Sequence, residues 1–412
     1  MEKTITDSLI QTVEYAMAKS PFYSNYEQLI AKPFSLDAFK KLPFTSKDDL
    51  AVSNVDFLAV NKNNIADYST TSGTSGEAVT VFLTQNDLKR LAKNEAHSLR
   101  LTGATEKDLF QLTTTIDRQF MAGLAYYLGV QEIGAGMIRI GPGVPELQWS
   151  SILKNQPTIL IAVPSFVITL LDYAKKNHID VAATSIQKIV CVGEAIHEDD
   201  LSYNILGKRI LENWDVQLYS TYASTEMGAA FTECEAQNGC HLNEDLLYLE
   251  VLNDADEAVS DGEIGEIVVT TLNVEGTPLL RYKTGDLARV YTSPCACGRT
   301  SPRLGPIIGR KNQLIKFKGT TIFPKAIFEI FDAIPQISCY KIEVSKDYLG
   351  NDALTVLLEK QLESSGLMPQ IVEHCKSNLR VVPHFIFLEN EYLRNQVFKK
   401  NSRKPEKISF KN

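Results

Sequence analysis

The chain carries the stretch Ser-Thr-Thr-Ser-Gly-Thr-Ser-Gly at residues 69–76, and the apolar run Ala-Val-Thr-Val-Phe follows at residues 78–82. Glycine lets the backbone come close to a ligand and adopt positive φ, so that successive N–H groups can point at phosphate oxygens. Serine and threonine hydroxyls supply further donors. The stretch therefore predicts a loop that binds a polyphosphate. On composition alone, an ordinary turn is the alternative.

This loop differs from the P-loop of kinases and ATPases. It lacks the Gly-Lys-Ser/Thr ending, and Glu77 stands where a phosphate-binding lysine is expected. A P-loop joins a strand to a helix, whereas here a strand-like segment follows the loop. A P-loop phosphotransferase is therefore a poor alternative for this chain.

Length, composition and charge narrow the class of protein. The 412 residues are enough for about two to three domains. Hydrophobic residues make up 44% of the chain and charged residues 22%, as in a globular protein. The formal charge of −8 argues against binding to nucleic acid or to a membrane surface.

The chain shows no targeting or membrane-spanning pattern. Residues 1–9 carry charges and no long apolar core, so we expect no signal peptide. The longest apolar stretch, residues 159–173, is interrupted by Pro164 and is too short to span a bilayer. Seven cysteines, an odd number in a long chain, favour a reducing compartment, and we predict a cytoplasmic protein.

Helical and strand-like segments alternate through the middle of the chain. Apolar runs and helical patterns occur at residues 86–102, 109–115, 122–129, 137–141, 158–162, 166–177 and 188–192. This alternation predicts a layered α/β sheet. Active sites in such folds gather at the carboxyl ends of the strands.

Two of these strand ends carry polar residues that suit a nucleotide. One ends at Gly193 and Glu194, and the other runs into Tyr222, Thr225 and Glu226. The tyrosine offers a flat face for a purine, the threonine a hydroxyl, and Glu226 a hard oxygen ligand for Mg²⁺ bound to phosphates. A loop with a solvated glutamate is the alternative when this cluster is taken alone.

Three further motifs occur in order along the chain. They are Gly-Glu-Ile-Val-Val-Thr-Thr at residues 265–271, Leu-Arg-Tyr-Lys-Thr-Gly-Asp-Leu at 280–287 and Gly-Arg-Lys-Asn-Gln-Leu-Ile-Lys-Phe-Lys-Gly at 309–319. Together with the glycine loop and the Tyr222 cluster, they resemble the adenylate-forming superfamily of acyl-CoA synthetases, adenylation domains and luciferases. The phenylacetate-CoA-ligase-like branch is the closest match, because of Leu-Pro-Phe-Thr-Ser-Lys at 42–47, Cys-Ala-Cys-Gly-Arg at 295–299 and Gly-Thr-Thr-Ile-Phe-Pro at 319–324.

The resemblance implies an AMP-forming acid–thiol ligase. In that reaction a carboxylate attacks the α-phosphate of ATP, pyrophosphate leaves, and a thiol then takes the acyl group from the acyl-adenylate. CoA and the phosphopantetheine arm of an acyl carrier protein present the same thiol, so both acceptors stay open. A diverged nucleotide-binding homologue that has lost adenylation is the alternative from another class.

The resemblance also assigns roles to individual residues. The glycine loop holds the β- and γ-phosphates, and Tyr222 stacks on the adenine. Asp286 accepts hydrogen bonds from both ribose hydroxyls. The implied nucleotide-binding residues are Thr71, Ser72, Gly73, Thr74, Ser75, Gly76, Gly193, Glu194, Tyr222, Asp286 and Arg310, and the implied catalytic residues are Lys404, Glu226 and Thr225, the last two at the α-phosphate and Mg²⁺.

Four positions depart from the family pattern. Glu77 and Ala78 replace the usual Lys-Pro after the loop, so one cationic phosphate contact is missing. Ala223 replaces a glycine, and Asn312 stands where members often carry a hinge aspartate. Asparagine keeps the shape and the hydrogen bonds of aspartate but loses its charge, so rotation about this hinge remains the expectation.

The cysteines form a second constellation. Cys295 and Cys297 lie in a turn, and Cys234 precedes the neighbouring pair Cys240 and His241. Two tight pairs far apart in sequence suit tetrahedral Zn²⁺ better than redox chemistry. We predict a structural zinc on Cys234, His241, Cys295 and Cys297, with Cys240 as the substitute for His241. Unligated thiols in a surface turn are the alternative.

From residue 309 the chain reads as a small α+β domain. We predict a large layered α/β domain over residues 1–308 and a small mobile lid domain over 309–412. The small domain ends in a basic tail at residues 398–407. The resemblance places the catalytic lysine in this tail, with Lys404 as the best match and Lys407 as its rival.

The acid substrate is indicated only in outline. The candidate acyl-pocket segments, residues 120–127 and 134–139, contain Phe120, Tyr126 and Tyr127, which favour an aromatic or hydrophobic carboxylic acid. Association into a homodimer is left open by the sequence.

Overall fold

The structure is a computed structural model that describes residues 5–29, 35–71, 78–318, 320–347, 352–398 and 406–411. The chain divides into two compact units, Met1–Ile307 and Ile308–Asn412. Within the described residues, no helix is both long and apolar enough to cross a membrane.

Strands and helices alternate along the large unit. Its helices are α1 (Ile5–Lys19), α2 (Leu36–Phe39), α3 (Lys47–Val52), α4 (Gln85–Leu101), α5 (Met121–Ile133), α6 (Pro145–Asn155), α7 (Pro164–Lys176) and α8 (Ile205–Leu211). Its strands are β1 (Asp67–Thr70), β2 (Thr80–Leu83), β3 (Leu109–Leu112), β4 (Gly136–Arg139), β5 (Ile159–Ala162), β6 (Lys188–Cys191), β7 (Gln217–Ser224), β8 (Ala229–Glu233), β9 (Cys240–His241), β10 (Leu247–Leu252), β11 (Ile264–Thr271), β12 (Tyr282–Tyr291) and β13 (Arg303–Leu304).

The main sheet of the large unit has a parallel half and an antiparallel half that meet at β7. Its strand order is β10-β11-β12-β13-β9-β8-β7-β6-β5-β3-β4. Strands β3 to β7 pair in parallel, whereas every pair from β7 to β10 is antiparallel. Strand β5 is buried along its whole length, as expected for a parallel strand with helices on both faces. The predicted α/β fold class is confirmed.

Helices α4 and α5 pack closely beside this sheet. A Cβ at Gly129 on α5 would collide with the Cβ of Glu95 on α4, so only glycine permits this approach. The side chain of Trp149 on α6 is fully buried, and its indole N–H donates to the carbonyl oxygen of Leu170 at 2.9 Å. These contacts fix α5 against α4 and α6 against α7.

An N-terminal segment is pinned against β12. The Thr45 N–H donates to the carbonyl oxygen of Arg281 at 3.1 Å, and the Lys283 N–H donates to the carbonyl oxygen of Thr45 at 2.8 Å. Immediately afterwards, Ser46 caps α3 in a capping box with Asp49. Residues 45–47 therefore have a fixed position beside β12.

The small unit is an α+β arrangement with its own apolar core. Its strands are β14 (Gly309–Arg310), β15 (Ile315–Phe317), β16 (Thr320–Ile322), β17 (Tyr340–Lys346), β18 (Asp352–Glu359), β19 (His384–Leu388) and β20 (Ile408–Phe410), and its helices are α9 (Pro324–Asp332), α10 (Met368–Leu379) and α11 (Asn390–Val397). A four-stranded sheet of order β19-β18-β17-β20 packs on α9 and α10 through Phe331, Ile342 and Ile371.

Candidate functional site

The carboxyl ends of β6 and β7 carry the polar residues singled out in the sequence. After β6, Gly193 has a positive φ of 77°, which turns the chain sharply at the strand end. The next residue, Glu194, accepts hydrogen bonds from the N–H and the hydroxyl of Ser165, both at 2.9 Å. These bonds tie the Glu194 carboxylate to the N-terminal turn of α7.

Tyr222 and Asp286 meet across the antiparallel half of the sheet. The hydroxyl of Tyr222, on β7, donates to a carboxylate oxygen of Asp286, on β12, at 2.9 Å. Asp286 is 7% exposed, whereas Tyr222 is half-buried and packs against Phe231. An aromatic ring and a carboxylate, the groups expected to hold a purine and a ribose, therefore lie side by side.

Glu226 follows β7 and faces a lysine from the N-terminal segment. Its carboxylate lies 3.7 Å from the ammonium of Lys47, and the two side chains are 11% and 26% exposed. In the sequence, Lys47 was recognised only as part of a motif that marks the family branch. The missing lysine at residue 77 is the sequence signal that could have prompted a search for another cation.

A buried arginine holds the loop that contains Glu226. Arg90, on α4, donates to the carbonyl oxygens of Gly228, Leu272 and Leu246 at 2.8, 2.8 and 2.6 Å. Burial lowers the pKa of this guanidinium to about 10, so it remains charged at neutral pH. Arg90 was not predicted from the sequence, because a charged residue in an amphipathic helix is normally expected to face solvent.

The predicted phosphate loop joins β1 and β2, which form a hairpin with Thr70 opposite Thr80. The base of the loop is closed by Thr71, whose N–H donates to the carbonyl oxygen of Val79 at 2.9 Å and whose hydroxyl oxygen accepts from the Val79 N–H at 3.0 Å. The loop therefore lies between two strands, unlike a P-loop. The remaining predicted phosphate-binding residues, Ser72, Gly73, Thr74, Ser75 and Gly76, lie outside the described residues.

One of the predicted acyl-pocket residues borders the nucleotide cluster. The hydroxyl of Tyr126, on α5, lies 3.5 Å from the hydroxyl of Thr221, which directly precedes Tyr222 on β7. Tyr126 is buried, and burial raises its pKa well above the usual value, with the nearby Glu95 adding to the effect. An uncharged aromatic ring therefore stands next to the expected adenine position.

Four residues predicted as zinc ligands lie together in the large unit. Their ligand atoms, one each from Cys234, His241, Cys295 and Cys297, all lie within 4.8 Å of one another. The Sγ atoms of Cys234 and Cys295 are 3.7 Å apart, and the Sγ of Cys297 is 3.5 Å from Nε2 of His241. Tetrahedral zinc with Zn–S bonds of about 2.3 Å places two sulfurs about 3.8 Å apart, so this donor set fits the ion.

The surroundings of the four ligands also suit a metal. Burial lowers the pKa of His241 to about 4, with Arg303 and Arg299 adding to the effect, so its imidazole is neutral and able to ligate. Its other nitrogen, Nδ1, is 2.9 Å from the hydroxyl of Ser301, which fixes the ring. Cys240 instead directs its Sγ to the carbonyl oxygen of Ser220 at 3.5 Å. The structure therefore brings His241, and not Cys240, to the cluster.

The remaining predicted residues belong to the small unit. Arg310 lies on β14, and Asn312 is exposed in the short helix that follows. Lys407 is already engaged, because its ammonium lies 2.8 Å from the Asp332 carboxylate and 3.3 Å from the Tyr340 hydroxyl. Lys404 lies outside the described residues.

Tyr222 on β7 contacts the buried carboxylate of Asp286 on the antiparallel strand β12, and Glu226 follows the end of β7. This arrangement is typical of a nucleotide-binding α/β enzyme. The AMP-binding enzyme family matches residues 22–275, which is more than half of the chain. The chain belongs to the family of AMP-binding enzymes.

Relatives with curated functions agree with this assignment. The phenylacetate–coenzyme A ligase of Aromatoleum evansii is 30% identical, over 84% of this chain and 78% of that protein. The phenylacetate–coenzyme A ligase of Thermus thermophilus is 28% identical, over 91% of this chain and 89% of that protein. The predicted superfamily, its phenylacetate-CoA-ligase-like branch and the AMP-forming acid–thiol ligase class are confirmed.

A solved structure shares the fold over nearly the whole chain. The crystal structure of 2-hydroxyisobutyryl-CoA ligase in the postadenylation state, in complex with 2-HIB-AMP, has a TM-score of 0.82 to this protein. The match covers 99% of this chain and 89% of that one, at 21% sequence identity. At this identity the similarity shows the fold alone.

Proposed function

We propose that this protein uses MgATP to activate an aromatic or hydrophobic carboxylic acid and then transfers the acyl group to the thiol of CoA. The observation that carries the proposal is the contact between Tyr222 and Asp286 beside the loop of Glu226. It supplies an aromatic face, a ribose acceptor and a carboxylate at one edge of the sheet. The curated relatives, both phenylacetate–coenzyme A ligases, support the acid and the acceptor.

In the first step an oxygen of the substrate carboxylate bonds to the α-phosphorus of ATP, and the bond from that phosphorus to the bridging oxygen of pyrophosphate breaks. In the second step the thiolate sulfur bonds to the acyl carbon, and AMP leaves. Mg²⁺, when bound, neutralises charge on the phosphates. Glu226 is the residue that we assign to hold it, because its carboxylate is a hard oxygen ligand at the strand end.

The other residues bind and orient the substrates. Tyr222 stacks on the adenine beside Gly193 and Glu194, and Asp286 accepts from the ribose hydroxyls. Thr225 contacts the α-phosphate from the loop that Arg90 holds. From the small unit, Arg310 and Lys404 supply cationic contacts, and the engagement of Lys407 by Asp332 favours Lys404 as the catalytic lysine. In this proposal the small unit is a mobile lid.

The acyl group occupies a pocket bordered by Tyr126. Burial keeps this tyrosine uncharged, and together with Phe120 and Tyr127 it favours an aromatic or hydrophobic acid over a short polar one. CoA is our proposed acceptor, with the phosphopantetheine arm of a carrier protein as the alternative. The sequence leaves homodimerisation open.

The sequence also suggested, through Glu77 and Ala223, a diverged homologue without adenylation, and the assignment to the AMP-forming ligase class argues against it. Release of pyrophosphate from ATP that depends on a carboxylic acid would exclude this candidate. A panel of aromatic, aliphatic and short polar acids, compared at equal concentration by pyrophosphate release, would also identify the preferred class of substrate.

The test of the catalytic proposal is substitution of Glu226. Glu226→Ala should lower acid-dependent ATP–pyrophosphate exchange by about two orders of magnitude or more, because the carboxylate that holds the metal is lost. Glu226→Gln keeps the shape and should be nearly as defective, whereas Glu146→Ala, on the exposed start of α6, should exchange normally. Normal exchange by folded Glu226→Ala would contradict the assignment.

We also propose a structural Zn²⁺ on Cys234, His241, Cys295 and Cys297. Support comes from the compact S₃N donor set and from the hydrogen bond that orients His241. All four groups are used as ligands in this proposal, which leaves no open position for catalysis. Cys191, Cys339 and Cys375 are unpaired, buried thiols, which supports the proposed cytoplasmic location.

A further inference from the structure

Lys47 lies at a position where the helix dipole disfavours a positive charge. It is the first residue of α3, where the helix dipole favours acids, and the next two residues, Asp48 and Asp49, follow that preference. Its side chain is 26% exposed and points its ammonium to within 3.7 Å of the Glu226 carboxylate. The ion pair explains the position of Lys47, but a lysine there also adds a cation to the proposed phosphate site.

The two residues before Lys47 fix the position of its backbone. The Thr45 hydroxyl donates to the carbonyl oxygen of Leu280 at 2.7 Å, and backbone bonds on both sides tie Thr45 to β12. The capping box of Ser46 and Asp49 then sets the first turn of α3. The backbone of Lys47 is therefore fixed near the Glu226 carboxylate, and only the Lys47 side chain can rotate.

The sequence of the phosphate loop lacks a cation. Residue 77 is glutamate, where the family usually has lysine after the loop. Residue 47 lies far from residue 77 in sequence, yet its ammonium reaches the carboxylate that we assign to the metal of MgATP. The two features are complementary, since the loop loses a positive charge and the N-terminal segment supplies one.

We propose that Lys47 is a catalytic residue that binds the phosphate oxygens of ATP and of the leaving pyrophosphate. This inference rests on the proposed function. Without nucleotide, the ammonium balances the charge of Glu226. With Mg²⁺ held by Glu226, the flexible four-carbon side chain of Lys47 can turn to the phosphates. Lys47 forms no covalent bond, and its ammonium stabilises the charge that develops on pyrophosphate as it leaves.

The experiment measures the two half-reactions separately with Lys47→Met, which removes the charge and keeps an apolar stem. We expect kcat/KM for ATP in pyrophosphate exchange to fall about 10- to 100-fold, as for loss of one charge-stabilising group. Thioester formation from supplied acyl-adenylate should stay within about twofold of wild type, because that step involves no β- or γ-phosphate. Lys47→Arg retains the charge and should recover part of the exchange activity.

The matched control is Lys283→Met. Lys283 lies on β12, carries the same charge, and stacks on the Phe44 ring of the same N-terminal segment, but its ammonium pairs with Asp256. We expect Lys283→Met not to lower pyrophosphate exchange relative to thioester formation, nor the reverse. Normal exchange by folded Lys47→Met, or equal loss in both half-reactions, would overturn the proposal. Absence of exchange in the wild-type protein would instead refute the proposed function.

Discussion

A single buried carboxyl, Glu95, makes the stability of the large unit depend on pH. Its side chain is 3% exposed between α4 and α5, and one of its oxygens has no hydrogen-bond partner. Burial raises its pKa from 4.5 to about 7, although a hydrogen bond from Asn94 opposes the shift. The folded state therefore holds the Glu95 proton more tightly than the unfolded state does.

The expected consequence is a loss of stability as the pH rises. The favourable contribution of Glu95 is complete below about pH 4.5 and is lost as the pH rises through about 7, which amounts to about 3 kcal/mol. Glu95→Gln removes this titration. The free energies of unfolding of Glu95→Gln and wild type are compared by urea denaturation between pH 4.5 and 8. As the pH rises, their difference should therefore change in favour of the variant by about this amount. A difference that stays constant with pH would contradict the assignment.

Individual residues were predictable where the chemistry is local. Tyr222 and Asp286 were singled out from the sequence through their motifs, and their contact at 2.9 Å joins two residues that were assigned to one nucleotide. Lys47 and Arg90 were missed, because their roles depend on partners far along the chain, Glu226 and Gly228. No periodicity of hydrophobic residues reports such a pairing.

The proposed zinc site links elements that are distant in sequence. Cys234 follows β8, His241 lies on β9, and Cys295 and Cys297 lie in the turn between β12 and β13. In a strand, neighbouring side chains point to opposite faces, so Cys240 and His241 cannot both enter the cluster. The sequence showed both candidates but not the phase of this two-residue strand, which is set by its pairing with β8 and β13.

Removal of one ligand should therefore release the metal and loosen these strands. Purified wild-type protein should contain about one zinc per chain, and Cys295→Ser should lose it together with thermal stability. Cys240→Ser is the matched control, since its thiol lies outside the cluster, and it should retain the zinc. Metal analysis and thermal unfolding would measure both outcomes. Wild-type protein without zinc but of ordinary stability would refute the site.

At the scale of the whole molecule, the alternation of strands and helices predicted the α/β fold class. The sequence did not show that the sheet changes from parallel to antiparallel at β7, because that change depends on pairing between distant strands. In the small unit, α10 begins at Met368 and ends at Leu379. Its amphipathic spacing and the Pro369 at its start are local signals.

Our proposal of a mobile lid predicts that the two half-reactions separate genetically. Lys404→Ala should abolish most acyl-adenylate formation but leave thioester formation from supplied acyl-adenylate, because its charge is needed only where the α-phosphate is attacked. Asn312→Pro should do the reverse, since a φ fixed near −65° restricts rotation at the proposed hinge. Single-turnover assays of each half-reaction would measure this.

Lys407→Ala is the control for the position of the catalytic lysine. Because Lys407 pairs with Asp332 inside the small unit, we expect its loss to affect stability more than adenylation. A selective adenylation defect in Lys407→Ala alone would move the catalytic role by three residues. Equal damage to both half-reactions by Lys404→Ala would count against alternation of the small unit.

The attachment of Thr45 to β12 has a consequence for synthesis on the ribosome. The Thr45 hydroxyl and its acceptor at Leu280 are separated by 235 residues, so at about 5–20 residues per second the partner emerges roughly 10–50 s later. Throughout that interval the nascent chain carries Phe44 without Arg281 and Lys283, whose side chains lie over its ring. The segment that carries Lys47 is thus synthesised early and can dock only after β12 has emerged.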